Sequence, residues 1–211
     1  MVKVKICGIR NLEDARDAIA AGADALGFIF FRGSPRYVNP LTAARIIRQL
    51  PKRVKKIGVF VNARPATIKR YARQCSLDMA QLHGNESAKV CGRCAPVPVI
   101  KAFRVRGAVD PALLAGYKTH AVLFDAYVPG RPGGTGVACD WALLKDARKC
   151  GAPGGVFLSG GLTSRNVRKA IRMVKPQWVD ASSSLELYPG KKDRIKMAAF
   201  VRAVKHPATA S

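Results

Sequence analysis

The amino-acid sequence predicts an α/β chain, a single (β/α)8 (TIM) barrel, on three observations. A short apolar strand, a turn and an amphipathic helix recur eight times along 211 residues. Strands that alternate with helices in this way argue for a parallel sheet, and eight of them in a chain this long argue for closure. The second strand, Ala25 to Phe30, is almost wholly apolar, as a parallel strand covered on both faces must be. No linker or break in composition divides the series, so one barrel is expected over 1–205, with a frayed tail over 206–211. The alternative, a doubly wound open sheet, calls for G-x-G-x-x-G after the first strand, and that motif is missing there.

Taken in order, Lys3 to Ile9 opens with a period-two strand, Val2, Val4 and Ile6 on one face and Lys3, Lys5 and Cys7 on the other. Gly8 breaks it. Asn11 suits a helix N-cap, with Glu13 and Asp14 in the first turn, where the helix dipole favours acids. After the second strand and the loop Arg32 to Asn39, a helix from Pro40 aligns Ala43, Ile46, Ile47 and Leu50. The third strand is Ile57 to Val61. Pro65 starts a helix whose inner face is Ile68, Tyr71, Ala72 and Cys75. The fourth strand, Met79 to Leu82, ends in His83-Gly84, and a weaker helix covers Glu86 to Cys94. The fifth strand is Val97 to Phe103, with a short helix from Pro111 to Gly116. The sixth, Ala121 to Phe124, ends abruptly in Asp125, before a Gly/Pro-rich loop, Pro129 to Gly136, and a helix from Asp140 to Lys149. The seventh, Gly155 to Leu158, leads into Ser159-Gly160-Gly161 and a helix burying Val167, Ala170, Ile171 and Val174. The eighth, Gln177 to Ala181, leads into Ser182-Ser183-Ser184. A last helix fills Asp193 to Val204, with Met197, Val201 and Val204 inward.

Composition narrows the function. A hydrophobic content of 48% excludes a disordered chain. With no signal-like leader and no bilayer-length apolar run, a soluble cytoplasmic protein is expected, with no membrane partner. The six cysteines are scattered through a core-forming chain, which argues against a disulfide scaffold. Cys91-Gly-Arg-Cys94 has C-x-x-C spacing but no second pair and no His pair to complete a metal site. The formal net charge of +24 attracts anions in general. Its spread through every quarter of the chain, with 7% aromatics and no nucleic-acid-binding signature, reads as a solvated cationic surface, not a specific nucleic-acid site.

A barrel gathers its strand ends on one face, and there the chain supplies Cys7, Arg36, His83 and Asp125. The bland readings are a buried structural cysteine, a solvated loop arginine, a hydrogen-bonded loop histidine and an Asx-turn or cap aspartate. The chemical readings are a base, a bidentate carboxylate clamp and a partly desolvated acid. As a base, Cys7 needs a lowered pKa, because the thiolate is the working form. Lys5, two residues earlier on the same face, either supplies that nearby cation or is locked to Asp180 on the neighbouring eighth strand. Gly160-Gly161 and Ser182 to Ser184 follow strands seven and eight, where barrels often hold a phosphate on backbone N–H groups.

In order, KVKICGI, GADALGFIFF, SPRYV, IGVFVN, QLHG, VLFDA, GGTG, SGGL and VDASSSLE resemble the phosphoribosylanthranilate isomerase family, from about Val2 to the final helix. The resemblance implies a cofactor-free Amadori rearrangement in tryptophan biosynthesis, with a phosphorylated small-molecule substrate and a monomer or homodimer. It implies Cys7 as general base and Asp125 as general acid. Arg36 holds the anthranilate carboxylate and His83 joins the substrate-binding set. The 160–161 and 182–184 loops, with Gly134 and Gly136 nearby, hold the phosphate, and no metal is needed. Three departures stand out. Ser184 occupies the place of a family glycine, which carries a penalty if the position needs φ > 0 or a close backbone approach to phosphate. Val137-Ala138-Cys139 stand where the family often has a basic residue, and the charge is unusually high.

Overall fold

The computed structural model describes residues 1–105, 114, 116–125, 141–144 and 151–206. Eight parallel strands close into a barrel in sequence order, β1 pairing with both β2 and β8. They are β1 (Lys3–Cys7), β2 (Ala25–Ile29), β3 (Lys55–Phe60), β4 (Met79–Leu82), β5 (Val99–Arg104), β6 (Ala121–Asp125), β7 (Val156–Ser159) and β8 (Trp178–Ala181). The helices around them are α1 (Leu12–Ala20), α2 (Pro40–Ile47), α3 (Pro65–Cys75), α4 (Ala88–Gly92), α5 (Val167–Val174) and α6 (Arg194–Lys205).

The local chemistry explains the helix starts. The Asn11 side chain accepts from the Asp14 N–H at 2.8 Å, ahead of α1. Asn39 does the same for Leu41, with Pro40 at the first position of α2. Asp193 accepts from Ile195 and Lys196, satisfying two N–H groups that α6 leaves free.

Period-two alternation splits the core. Outward residues such as Val4, Ile6, Leu26, Phe28, Val122 and Leu158 pack under the helices. Inward residues Ala25, Ile57, Ile100, Leu123, Phe157 and Trp178 fill the barrel. Phe157 and Trp178 stack at 4.8 Å between ring centroids, sealing one end. Lys5 is inward too and fully buried, one layer nearer the mouth than Lys3, whose ammonium lies over the Trp178 ring.

Several expectations are refined. The helix over Glu86 to Cys94 shrinks to α4, and Ile171 on α5 is only half-buried. Tyr71 is half-buried against Phe30. Trp141–Leu144 is a 3-10 turn; most of the two helices expected over 111–116 and 140–149, and all of the 129–136 loop with Gly134, Gly136 and Val137 to Cys139, lie outside the described residues. So do 207–211 of the tail. An antiparallel hairpin that the sequence did not announce, β9 (Glu186–Tyr188) and β10 (Lys191–Lys192), stands between β8 and α6.

Candidate active site

At the carboxyl ends of the strands lies a cavity of ≈ 250 Å³. Cys7, Gln81, His83, Asp125 and Asp180 form its floor and walls, Arg36 its side, and Ser159 to Gly161 with Ser182 to Ser184 its rim. β1 and β6 stand three strands apart around the closed barrel, so Cys7 and Asp125 enter from nearly opposite sides. A larger hollow, ≈ 630 Å³, lies on the outer wall between α3 and Pro96 to Pro98. Its lining of Lys69, Arg70, Arg73 and apolar groups pairs no acid with a base or nucleophile, so the chemistry belongs to the barrel mouth.

Cys7 is 6% exposed. Its neighbour on β2 has to be glycine: a Cβ on Gly27 would stand 2.6 Å from the Cys7 sulfur. Burial pushes the thiol above its ordinary value, the Lys5 ammonium pulls it down, Asp180 pushes it up, and Lys192 pulls it down again. Burial wins, so the thiol stands above its ordinary value and not at the lowered one that a resting thiolate would need. The either/or for Lys5 also dissolves. Its ammonium donates to Asp180 at 2.7 Å and also acts on Cys7. Burial works against that ammonium, but Asp180 and Cys7 together more than offset it, and Lys5 stays above its ordinary value.

His83 joins Asp125. Its Nε2 lies 3.1 Å from Asp125 Oδ2, and its Nδ1 lies 2.8 Å from the Gln81 amide nitrogen. With the amide donating to Nδ1, the ring proton sits on Nε2 and points at the carboxylate. The His83 backbone is held from both flanks: Lys101 Nζ donates to the carbonyls of Leu82 and Gly84 and to Glu86 at 2.7 Å. Glu86 accepts in turn from the N–H groups of Asn62 and Gly84. Burial pushes the Glu86 carboxyl up, but the Lys101 bond and the backbone donors bring it below its ordinary value.

Arg36 reaches the cavity because its loop folds back on β2: Tyr37 bridges to Ile29, and the Ser34 hydroxyl accepts from the Arg36 N–H. Part of its fork is already engaged. Nε and Nη2 donate to the two carboxylate oxygens of Glu186 at 2.8 and 2.7 Å. The remaining N–H groups are what it can offer a ligand.

Gly160 and Gly161 have φ of +95° and +63°, conformations that a side chain would strain. Ser184 carries no penalty from a positive φ. Among the described residues the non-glycine positive φ angles are at Asn62, Ser76 and Lys175, and Ser184 sits in a 3-10 turn with its hydroxyl donating to the Leu162 carbonyl.

Sequence reasoning missed four groups at this site. Gln81 stands two residues before His83, on the same strand face, so period two could have found it. Asp180 was seen only as a partner for Lys5. Its Oδ1 and the Gln81 Oε1 are buried acceptors with no partner among the described residues. Glu186 and Lys192 belong to the unannounced hairpin. Cys91 and Cys94 are buried thiols, Cys91 pushed by burial to about 11, and among the described residues no group of three or more His, Cys, Asp or Glu could hold a metal ion.

A family model described as N-(5'phosphoribosyl)anthranilate (PRA) isomerase matches residues 4–203. An N-(5'-phosphoribosyl)anthranilate isomerase of Geobacter sp. (strain M21) is 51% identical over 205 residues, covering 97% of this chain and 98% of that protein. The crystal structure of phosphoribosyl anthranilate isomerase from Thermotoga maritima superposes with a TM-score of 0.90 at 42% identity, covering 97% of this chain and 99% of the other. A second structure of such an isomerase, in complex with reduced 1-(o-carboxyphenylamino)-1-deoxyribulose 5-phosphate, has a TM-score of 0.87 at 40% identity over 97% of this chain and 99% of its own. With matches that span nearly the whole barrel and include its mouth, the chain belongs to the N-(5'-phosphoribosyl)anthranilate isomerase family.

Proposed function

We propose that this barrel, over 1–205, converts N-(5-phosphoribosyl)anthranilate to 1-(2-carboxyphenylamino)-1-deoxyribulose 5-phosphate, the Amadori step of tryptophan biosynthesis. The observation that carries the reading is the shared cavity. A thiol from β1 and a carboxyl from β6 enter it from nearly opposite sides, under a rim of glycine and serine loops. The reaction needs two proton transfers at different atoms of one sugar, so two unlike groups suit it. Asp125 gives a proton to the ribose ring oxygen. The C1′–O bond breaks as the anthranilate nitrogen closes a C1′=N iminium. Cys7 takes the C2′ proton, the electron pair forms C1′=C2′, and the enolamine tautomerises to the ketone.

The raised Cys7 pKa fits this order. The iminium is a cation formed beside the thiol, and an adjacent opposite charge favours the thiolate. Lys5 and Lys192 act in the same direction. His83 holds the Asp125 carboxylate, and Arg36 receives the anthranilate carboxylate with the N–H groups that Glu186 leaves. The orphan oxygens of Gln81 and Asp180 are acceptors for ribose hydroxyls. The 160–161 and 182–184 segments cradle the phosphate. The substrate is phosphorylated and membrane-impermeant, so the enzyme works in the cytoplasm where that substrate is made.

Purified protein mixed with N-(5-phosphoribosyl)anthranilate tests the reading, followed by product formation and by growth rescue of a tryptophan auxotroph lacking this isomerase. Turnover with rescue is expected; a folded protein giving neither would overturn it.

A further inference from the structure

The β9–β10 hairpin lays two buried charges against the cavity wall, and neither gives or takes a proton in the chemistry above. Glu186 is 4% exposed at its side chain and Lys192 is fully buried. Lys192 Nζ donates to Glu186 Oε1 at 2.8 Å, on the oxygen that also accepts from Arg36 Nε. The same ammonium donates to the Ser182 carbonyl at 3.1 Å, and the Ser182 hydroxyl donates to the carbonyl of Cys7 at 2.9 Å. One unbroken line therefore runs Arg36, Glu186, Lys192, Ser182, Cys7.

The hairpin itself is pinned from outside. Asp14 of α1 accepts from the Lys192 N–H and from Lys191 Nζ, and Lys196 of α6 donates to the Glu186 carbonyl at 2.7 Å. Burying the Lys192–Glu186 pair beside a half-buried Arg36 is costly, and well-packed apolar groups often serve stability as well. The charges count for more at a cavity that must receive an anion. Arg36 and Lys192 with Glu186 between them leave one net positive charge, and Glu186 fixes the plane of the guanidinium that presents it.

We propose that Glu186 and Lys192 are positioning residues for the isomerisation: Glu186 orients Arg36 toward the substrate's carboxylate, and Lys192 anchors the Ser182–Cys7 end and supplies a cation to the thiol. This rests on the activity proposed above. The charged and titratable groups facing Cys7 are Lys5 on its own strand, Asp180 on β8, Lys192 on β10, and Arg36, His83 and Asp125 across the cavity.

The test is steady-state kinetics of the full chain with N-(5-phosphoribosyl)anthranilate, as a function of pH, beside thermal melts. Glu186→Gln should raise KM about tenfold with kcat changed by no more than about threefold, the size of one misdirected charge-assisted contact. Lys192→Met should leave KM nearly intact and move the rise of kcat/KM to higher pH by about one unit, the effect of losing one nearby cation. Lys192→Arg should restore most of that shift. If Glu186→Gln does not fold, the charge-balanced pair Glu186→Gln with Lys192→Met carries the same KM prediction. A lower Tm with unchanged KM and pH profile would show a purely structural role and overturn the inference. A lower KM in Glu186→Gln would also overturn it, by showing that Glu186 competes with substrate for Arg36. Absence of turnover in the wild-type protein is a separate result, which would remove the proposed activity itself.

Discussion

Cys7 works against its own surroundings. Buried at the mouth of the barrel, the thiol is held above the ordinary value of 9.0, with Lys5 and Lys192 opposing the shift. If Cys7 is the base, kcat/KM of the free enzyme should climb with pH and keep climbing past 9.0, because the thiolate is the working form. A plateau well below that value would assign the limb to another group. Asp125 makes the complementary prediction. Asp125→Asn keeps the size of the side chain and an acceptor for the His83 proton but cannot give up a proton, so kcat should fall about 10²–10⁴-fold. A drop of only a few-fold would move the acid elsewhere. Ser184→Gly should leave KM within about twofold, since the serine is unstrained and its hydroxyl is spent on the Leu162 carbonyl, an ordinary single hydrogen bond.

At the scale of elements, the site depends on what braces the strand ends. Lys101 and Glu86, 3% and 2% exposed at their side chains, tie the residues flanking His83 to the Asn62 turn. Lys101→Met leaves a buried carboxylate without its cation and should destabilise the fold by about 3–5 kcal/mol, read as a loss in chemical denaturation. Both Glu86 and Glu186 are held below the ordinary glutamate value of 4.5: burial raises each, and bonds to Lys101, or to Arg36 and Lys192, more than reverse it. The folded state therefore binds protons less readily than the unfolded chain. Their contribution is present above 4.5 and lost as pH falls through the folded values, so Tm should drop on acidification below 4.5. Glu186→Gln should flatten part of that drop.

The same elements show what sequence could and could not reveal. β2 and β6 were legible because a strand covered on both faces is apolar almost throughout, β1 through its period-two alternation, and Cys7, His83 and Asp125 as polar residues where β1, β4 and β6 stop. Asn11, Pro40 and Asp193 announced helix starts through their capping chemistry. The β9–β10 hairpin was not legible, because strands of three and two residues are too short to show a period. Its Glu186 and Lys192 look like surface charges until the barrel closes over them. For the same reason Arg36 read as a free clamp, when Glu186 occupies part of its fork.

For the whole molecule, closure of the barrel is what brings groups 118 residues apart in sequence, Cys7 and Asp125, to one cavity. The charge of +24 acts on a different scale. With 37 basic residues against 13 acids, pairing every carboxylate still leaves 24 cations, and residues such as Arg70, Arg73 and Lys69 stand exposed. Binding to RNA should accordingly be indifferent to sequence and fall steeply with salt. Two unrelated RNAs of equal length differing more than about tenfold in affinity would instead indicate a specific site, since counterion release does not read sequence.

The central claim is that one sulfur at the end of β1 performs the C2′ proton transfer. Its most direct test is the turnover of Cys7→Ser on N-(5-phosphoribosyl)anthranilate, beside a thermal melt. The hydroxyl fits the space that Gly27 leaves but is far harder to ionise, so kcat should fall at least about 10³-fold with the melting temperature nearly unchanged. Activity within about tenfold of the wild-type protein, in a variant equally well folded, would contradict it.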